Sequence, residues 1–150
     1  MPALGAWTGF EEFQNIIAHL RAPEGCPWDR KQTHQSLRPF LIEEAYEVLE
    51  TIDNDDPDEL VGELGDLLLQ IVLHTQIAID DGEFYMADIM REINEKMIRR
   101  HPHVWGDVDV HGDPNQVTTN WDEIKKAEKA DNGKEMTSIL GEIPKELPSL

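Results

Sequence analysis

The chain has 150 residues, 39% of them hydrophobic and 29% charged, with 13 Lys+Arg against 31 Asp+Glu for a formal charge of −18. That length and apolar content suit one globular domain, while the acidic balance excludes a nucleic-acid polymer as the expected partner, because duplex binding draws on a basic face. No apolar run approaches the roughly 18 residues of a spanning helix, the N-terminus lacks a signal-peptide pattern, and the single cysteine, Cys26, cannot close an internal disulfide, so a cytoplasmic protein without membrane association is expected.

Thr8 and Glu11 stand at capping-box spacing, and Phe10, Phe13, Ile16, Ile17 and Leu20 recur at helical intervals, predicting a first amphipathic helix to about Arg21. Two prolines and a glycine interrupt residues 22–29, read as a loop presenting Trp28 and Asp29. Trp28 is expected to plug the bundle, and Cys26 to pack. A second helix should begin between Thr33 and Ser36, tolerate Pro39 in its first turn and end near Asp53. Asp56 as N-cap, Pro57 at the first helical position and Glu59 at the capping-box position open a third, which runs to Asp80 or Asp81 before Gly82. Its stretch from Leu67 to Leu73 is apolar on nearly every side, so this helix should be central and enclosed, by its own chain or by a partner subunit.

Met86, Ile89, Met90, Ile93 and Met97 mark a fourth helix that closes on the basic turn Lys96, Arg99 and Arg100. Cations at a helix C-terminus gain about 0.3–1 kcal/mol, which explains Arg99 or Arg100 as well as a ligand does. Residues 106–118 read as an irregular loop with His111 and Asp113 in solvent, followed by a short fifth helix after Asn120 that carries Trp121, Ile124, Lys125 and Glu128. Residues 133–150 read as an extended tail or linker, which sets the domain at 1–132. With no strand-forming alternation, the expected fold is all-α: a four-helix-bundle-like core with an additional short C-terminal helix.

Acids stand where apolar residues are expected. In the second helix Glu44 falls within the stripe of Leu37, Leu41, Val48 and Ile52. Glu44 with Glu47, and Glu63 with Asp66, are neighbours three residues apart, so antiparallel helices would bring four carboxylates together. Two like charges about 4 Å apart cost on the order of 4 kcal/mol at an effective dielectric near 20, a conflict that a divalent cation removes. An oxygen-only ligand set suits magnesium, with manganese as a substitute, whereas zinc and non-haem iron recruit His or Cys. His74 is read as a core histidine bonded to a neighbour, and Glu43, Glu47 and Glu50 also fit an ordinary solvated face. An acidic cluster holding magnesium, approached by Lys96, Arg99 and Arg100, is the arrangement that phosphoryl chemistry needs.

Four segments together, Cys26-Pro27-Trp28-Asp29, residues 37–47 with Glu43-Glu44-Ala45-Tyr46-Glu47, Glu63-Leu64-Gly65-Asp66, and Arg99-Arg100-His101-Pro102-His103-Val104, strongly resemble the MazG-like nucleoside triphosphate pyrophosphohydrolases of the all-α nucleotide pyrophosphatase superfamily. The resemblance runs from about Phe10 to Lys129 and implies hydrolysis of a nucleoside triphosphate to the monophosphate and pyrophosphate, a house-cleaning activity. It implies Glu44, Glu47, Glu63 and Asp66 as magnesium ligands, Lys96, Arg99 and Arg100 as the triphosphate-binding segment, and Trp121 as an aromatic near the nucleotide. Glu43, with Glu44 and Glu47 in the catalytic motif, is assigned to orienting the attacking water. The resemblance further implies an intertwined homodimer or higher homo-oligomer. Many bacterial relatives carry two such domains in tandem, and residues 143–148 resemble the connector between them; the alternative reading is therefore a catalytically weak nucleotide-binding or regulatory module, the N-terminal half of a tandem protein.

Overall fold

The computed structural model describes residues 9–132. They form seven helices and no strand: α1 (Phe10–Leu20), α2 (Pro27–Lys31), α3 (Arg38–Asp53), α4 (Pro57–Asp80), α5 (Met86–Arg100), α6 (Pro102–Trp105) and α7 (Pro114–Asp131). Thr8 and the tail expected over 133–150 lie outside the described residues. The chain divides after Asp88 into two compact units.

In the first unit, α1 starts at Phe10 on Gly9, an N-cap that offers no side-chain bond. The expected loop over 22–29 is partly helical: Pro27 opens the single turn α2, as its fixed φ allows. Arg21 closes that turn by donating from Nη1 to the Asp29 carbonyl and, at 3.1 Å, to the Gln32 carbonyl, while its Nε reaches Asp80 at the end of α4, 2.9 Å away. Trp28 is not a buried plug. It remains 50% exposed and meets Phe40 edge-on at 5.8 Å. The start of α3 lies at Arg38, later than the Thr33 to Ser36 expected, because Thr33 and Ser36 exchange side-chain and backbone hydrogen bonds and close a separate turn first.

Asp56 accepts from the Glu59 backbone N–H at 3.2 Å, so α4 is capped as its sequence indicates. Gly82, at φ +71°, follows its end in the left-handed region. The three residues between α3 and α4 leave an antiparallel hairpin as the way for the two helices to pack along each other. Val72, Leu73 and Ile77 of α4 join Ile17 of α1 and Leu37 in the core, with Phe13, Leu20, Leu69 and Met86 around them. Enclosure is therefore confined to the C-terminal half of α4. Upstream, Val61, Leu64, Leu68 and Ile71 form an exposed apolar stripe, since α1 supplies its core contact to the other half.

His74 on α4 has a specific neighbour: His34 Nδ1 lies 2.8 Å from His74 Nδ1. The ring planes are 4° from parallel with centroids 5.1 Å apart. That separation is the nitrogen–nitrogen distance plus one ring radius on each side, so the rings lie edge to edge and share one proton. His74 Nε2 is enclosed without a partner; an enclosed bare lone pair costs less than an enclosed N–H, so His74 donates through Nδ1. Burial, then the charge of His34, lowers the His74 pKa from the ordinary 6.5. The unfolded chain therefore takes up the proton first, and stability present above pH 6.5 falls as the pH drops through that value. Glu44 titrates in the opposite sense over part of this range, so the contribution is read as a difference: the urea midpoint of the wild type relative to His74→Phe should fall between pH 7.5 and 5.5.

In the second unit, α7 is an 18-residue helix rather than a short one. Asp113 is its N-cap, accepting from the Asn115 N–H at 3.0 Å, with Pro114 at the first position. Asp113 is thus a capping residue rather than a loop acid. The turn before it is tight: His111 and Gly112 have φ of 52° and 71°, and the His111 N–H donates to Asp109 at 2.7 Å. No described helix is long and apolar enough to cross a membrane.

A candidate metal centre and a basic groove

The α3–α4 hairpin brings together the four acids that the spacing singles out. Glu44 and Glu47 come from α3, Glu63 and Asp66 from α4, and one carboxylate oxygen from each lies within 4.8 Å of the others. Glu44, Glu47 and Glu63 are half-buried and Asp66 is exposed. Glu43 lies beside the cluster in sequence but faces solvent.

The cluster is in electrostatic conflict. Desolvation, then the charge and hydrogen bond of Glu47, then Asp66 and Glu63, push the Glu44 carboxyl up to about 7. Glu63 is raised too, first by desolvation and then by Glu47 and Asp66. Glu44 Oε2 and Glu63 Oε2 are enclosed and meet no hydrogen-bond donor, an expensive state for a carboxylate oxygen. Enclosed oxygens lacking donors, in a set made only of carboxylates, fit a hard divalent cation such as magnesium or manganese.

Lys96, Arg99, Arg100 and Trp121 lie in the second unit, the first three on α5 and Trp121 on α7. A groove of about 480 Å³ runs between these helices, with Lys96, Arg99 and Arg100 on one side and Lys125, Glu128 and Lys129 on the other. Arg99 Nε donates to Glu128 Oε1 at 2.5 Å and Arg100 Nη2 to Oε2 at 2.9 Å. The Arg100 guanidinium also lies 5.2 Å from the centre of the Trp121 ring, a cation–π contact. His101 packs its ring against Trp121 at 5.1 Å and donates Nδ1–H to the Met97 carbonyl at 2.7 Å, which fixes its tautomer. Hydrogen bonds from Arg100 and then Arg99 hold the Glu128 carboxyl down to about 2. Lys125, Glu128 and Lys129 also line the groove; the sequence places Lys125 and Glu128 on the fifth helix without a role at the site, and the available signal was the spacing of all three, four, seven and eight residues from Trp121, on one face of a helix longer than expected.

A MazG nucleotide pyrophosphohydrolase domain model matches residues 32–105. The chain is 51% identical over 141 residues to the nucleoside triphosphate pyrophosphohydrolase/pyrophosphatase MazG of Thermotoga maritima, covering 94% of this chain and 52% of that protein. It is 45% identical over 136 residues to the nucleoside triphosphate pyrophosphohydrolase of Escherichia coli K12, covering 90% and 51%. It is also 55% identical over 141 residues to Bacillus subtilis YabN, covering 94% and 28%. The chain thus spans about half the length, or less, of the curated relatives it matches. Among solved structures, a mazG-related protein from Thermotoga maritima superposes with a TM-score of 0.63 at 26% identity, over 77% of this chain and 97% of that one.

Proposed function

This chain belongs to the MazG nucleotide pyrophosphohydrolase family, and on that footing we propose that it hydrolyses nucleoside triphosphates to the monophosphate and pyrophosphate, with magnesium held by Glu44, Glu47, Glu63 and Asp66. The observation that carries the reading is the convergence of four carboxylate oxygens within 4.8 Å, two of the acids keeping an enclosed oxygen without a donor. When bound, the ion supplies charge for phosphate oxygens and lowers the pKa of water.

The chain's own residues do the rest. Glu44 holds a proton up to about pH 7 in the bare cluster and must release it to act as a ligand. Glu43, exposed beside the cluster, orients the attacking water. Lys96, Arg99 and Arg100 take up the charge of the triphosphate, and Trp121 lies near the nucleotide. A second copy of the chain covers the exposed stripe of Val61, Leu64, Leu68 and Ile71 together with the exposed Ile42, Tyr46 and Leu49 of α3, since clustered exposed apolar side chains mark interaction surfaces. A cytoplasmic site of action matches a substrate drawn from the nucleotide pool.

A panel of nucleoside triphosphates in isotopically labelled water, with product analysis, tests the reading. Pyrophosphate and the monophosphate are expected, the label marking which phosphorus the water attacks; release of inorganic phosphate alone would sink the reading. The length of the relatives favours a second reading, in which this domain binds nucleotide with magnesium and does not turn it over. Binding heat without pyrophosphate release would select that reading.

A further inference from the structure

The basic groove of the second unit contains an anion of its own. Five cations and three acids line it, leaving two positive charges in surplus in a chain whose formal charge is −18. Lys96, Lys125 and Lys129 make no ion pair among the described residues, whereas both arginines are engaged by the single carboxylate of Glu128. Each Glu128 oxygen takes one guanidinium N–H, so the carboxylate sits between two arginines, as one edge of a phosphoryl group would. The side chain of Glu128 is 22% exposed and that of Arg99 is 48% exposed, so solvent, and hence a soluble anion, can reach the pair. Arg100 is held differently: its side chain is 14% exposed and its guanidinium lies over Trp121, so it keeps its place whether or not Glu128 is bound to it.

We infer that Glu128 is an affinity-setting residue that occupies the Arg99–Arg100 fork in competition with the phosphate chain and retakes it when pyrophosphate leaves. The inference rests on the reading of Lys96, Arg99 and Arg100 as the phosphate-binding segment. A competing carboxylate lowers the grip on every anion alike, so its consequence falls on product release as much as on substrate capture. Glu128→Gln keeps an acceptor oxygen for one arginine and removes the competing charge.

Calorimetric titration of the full chain with inorganic pyrophosphate, at fixed ionic strength and without divalent cations, is the test. Glu128→Gln should bind pyrophosphate about tenfold more tightly than the wild type. Unchanged or weaker binding, with Lys96→Ala and Arg99→Ala each weakening it, would overturn the inference, leave the basic segment as the phosphate site and make Glu128 a structural tie. If Lys96→Ala and Arg99→Ala both leave binding unchanged, the underlying reading fails, and the inference with it. Should Glu128→Gln lose helicity, the wild type decides: the Arg99 Nε–H resonance is expected to move in proportion to bound pyrophosphate, and a resonance that stays fixed through saturation overturns the exchange.

Discussion

Asp66→Ala is expected to lower magnesium-supported pyrophosphate release by on the order of 100-fold or more while leaving the helical spectrum intact. Loss of a group that merely orients a metal ligand already costs about 10–100-fold, and Asp66 is assigned as a ligand itself. The fold should tolerate the change for two reasons. Asp66 is exposed, so no core volume is vacated, and its charge is one of those that raise Glu44 and Glu63, so its removal relieves repulsion. The same variant should lose most of the rise in melting temperature that magnesium gives the wild type, because a ligand of the native state at free concentration L stabilises by RT ln(1 + L/Kd) and the variant's Kd is raised. Activity within a few-fold of wild type, with an unchanged magnesium response, would remove Asp66 from the site.

Which parts of the molecule were legible in the sequence follows from where local and tertiary signals agree. For α4, Asp56, Pro57 and Gly82 punctuate the same segment that the apolar residues fill, and the helix appears as expected. The start of α7 carries a matching Asp113-Pro114 signal, but its first two turns offer only Val117 as an apolar residue, so periodicity placed the helix too late. Thr33 and Ser36 were compatible with a helix start or a closed turn, and their reciprocal hydrogen bonds chose the turn. The acidic cluster was readable because a three-residue connection turns two i, i+3 pairs toward each other. The attachment of Glu128 to Arg99 and Arg100, 29 and 28 residues away, leaves no local trace, since each of those residues is also an ordinary helix-surface charge. His34 as the partner of His74 was hidden for the same reason: 40 residues separate them.

Glu44→Gln should trade function for stability. The folded-state pKa of Glu44 is raised from 4.5 to about 7. An acid raised in this way contributes stability fully below pH 4.5 and loses it as the pH rises through about 7, because the unfolded chain gives up the proton first. The contribution of Glu44 to the metal-free wild type should therefore decline across that interval, against the opposite contribution of His74. Glutamine cannot ionise, so the variant should lack this part of the decline and stand more stable than wild type at pH 8. The gain should be on the order of 1 kcal/mol, short of the full linkage value because solvent reaches part of the carboxylate. Magnesium should reverse the order. At a hundredfold excess over its dissociation constant a native-state ligand adds about 2.7 kcal/mol, and the variant, lacking one charged ligand, should capture only part of it. Melting temperatures of both proteins between pH 5 and 8, in chelator and in magnesium, would show two curves that cross. A metal-free stability difference between Glu44→Gln and wild type that stays level from pH 5 to 8 would mean that Glu44 is ionised throughout, and the enclosed Glu44 oxygen would then need a donor from outside this chain.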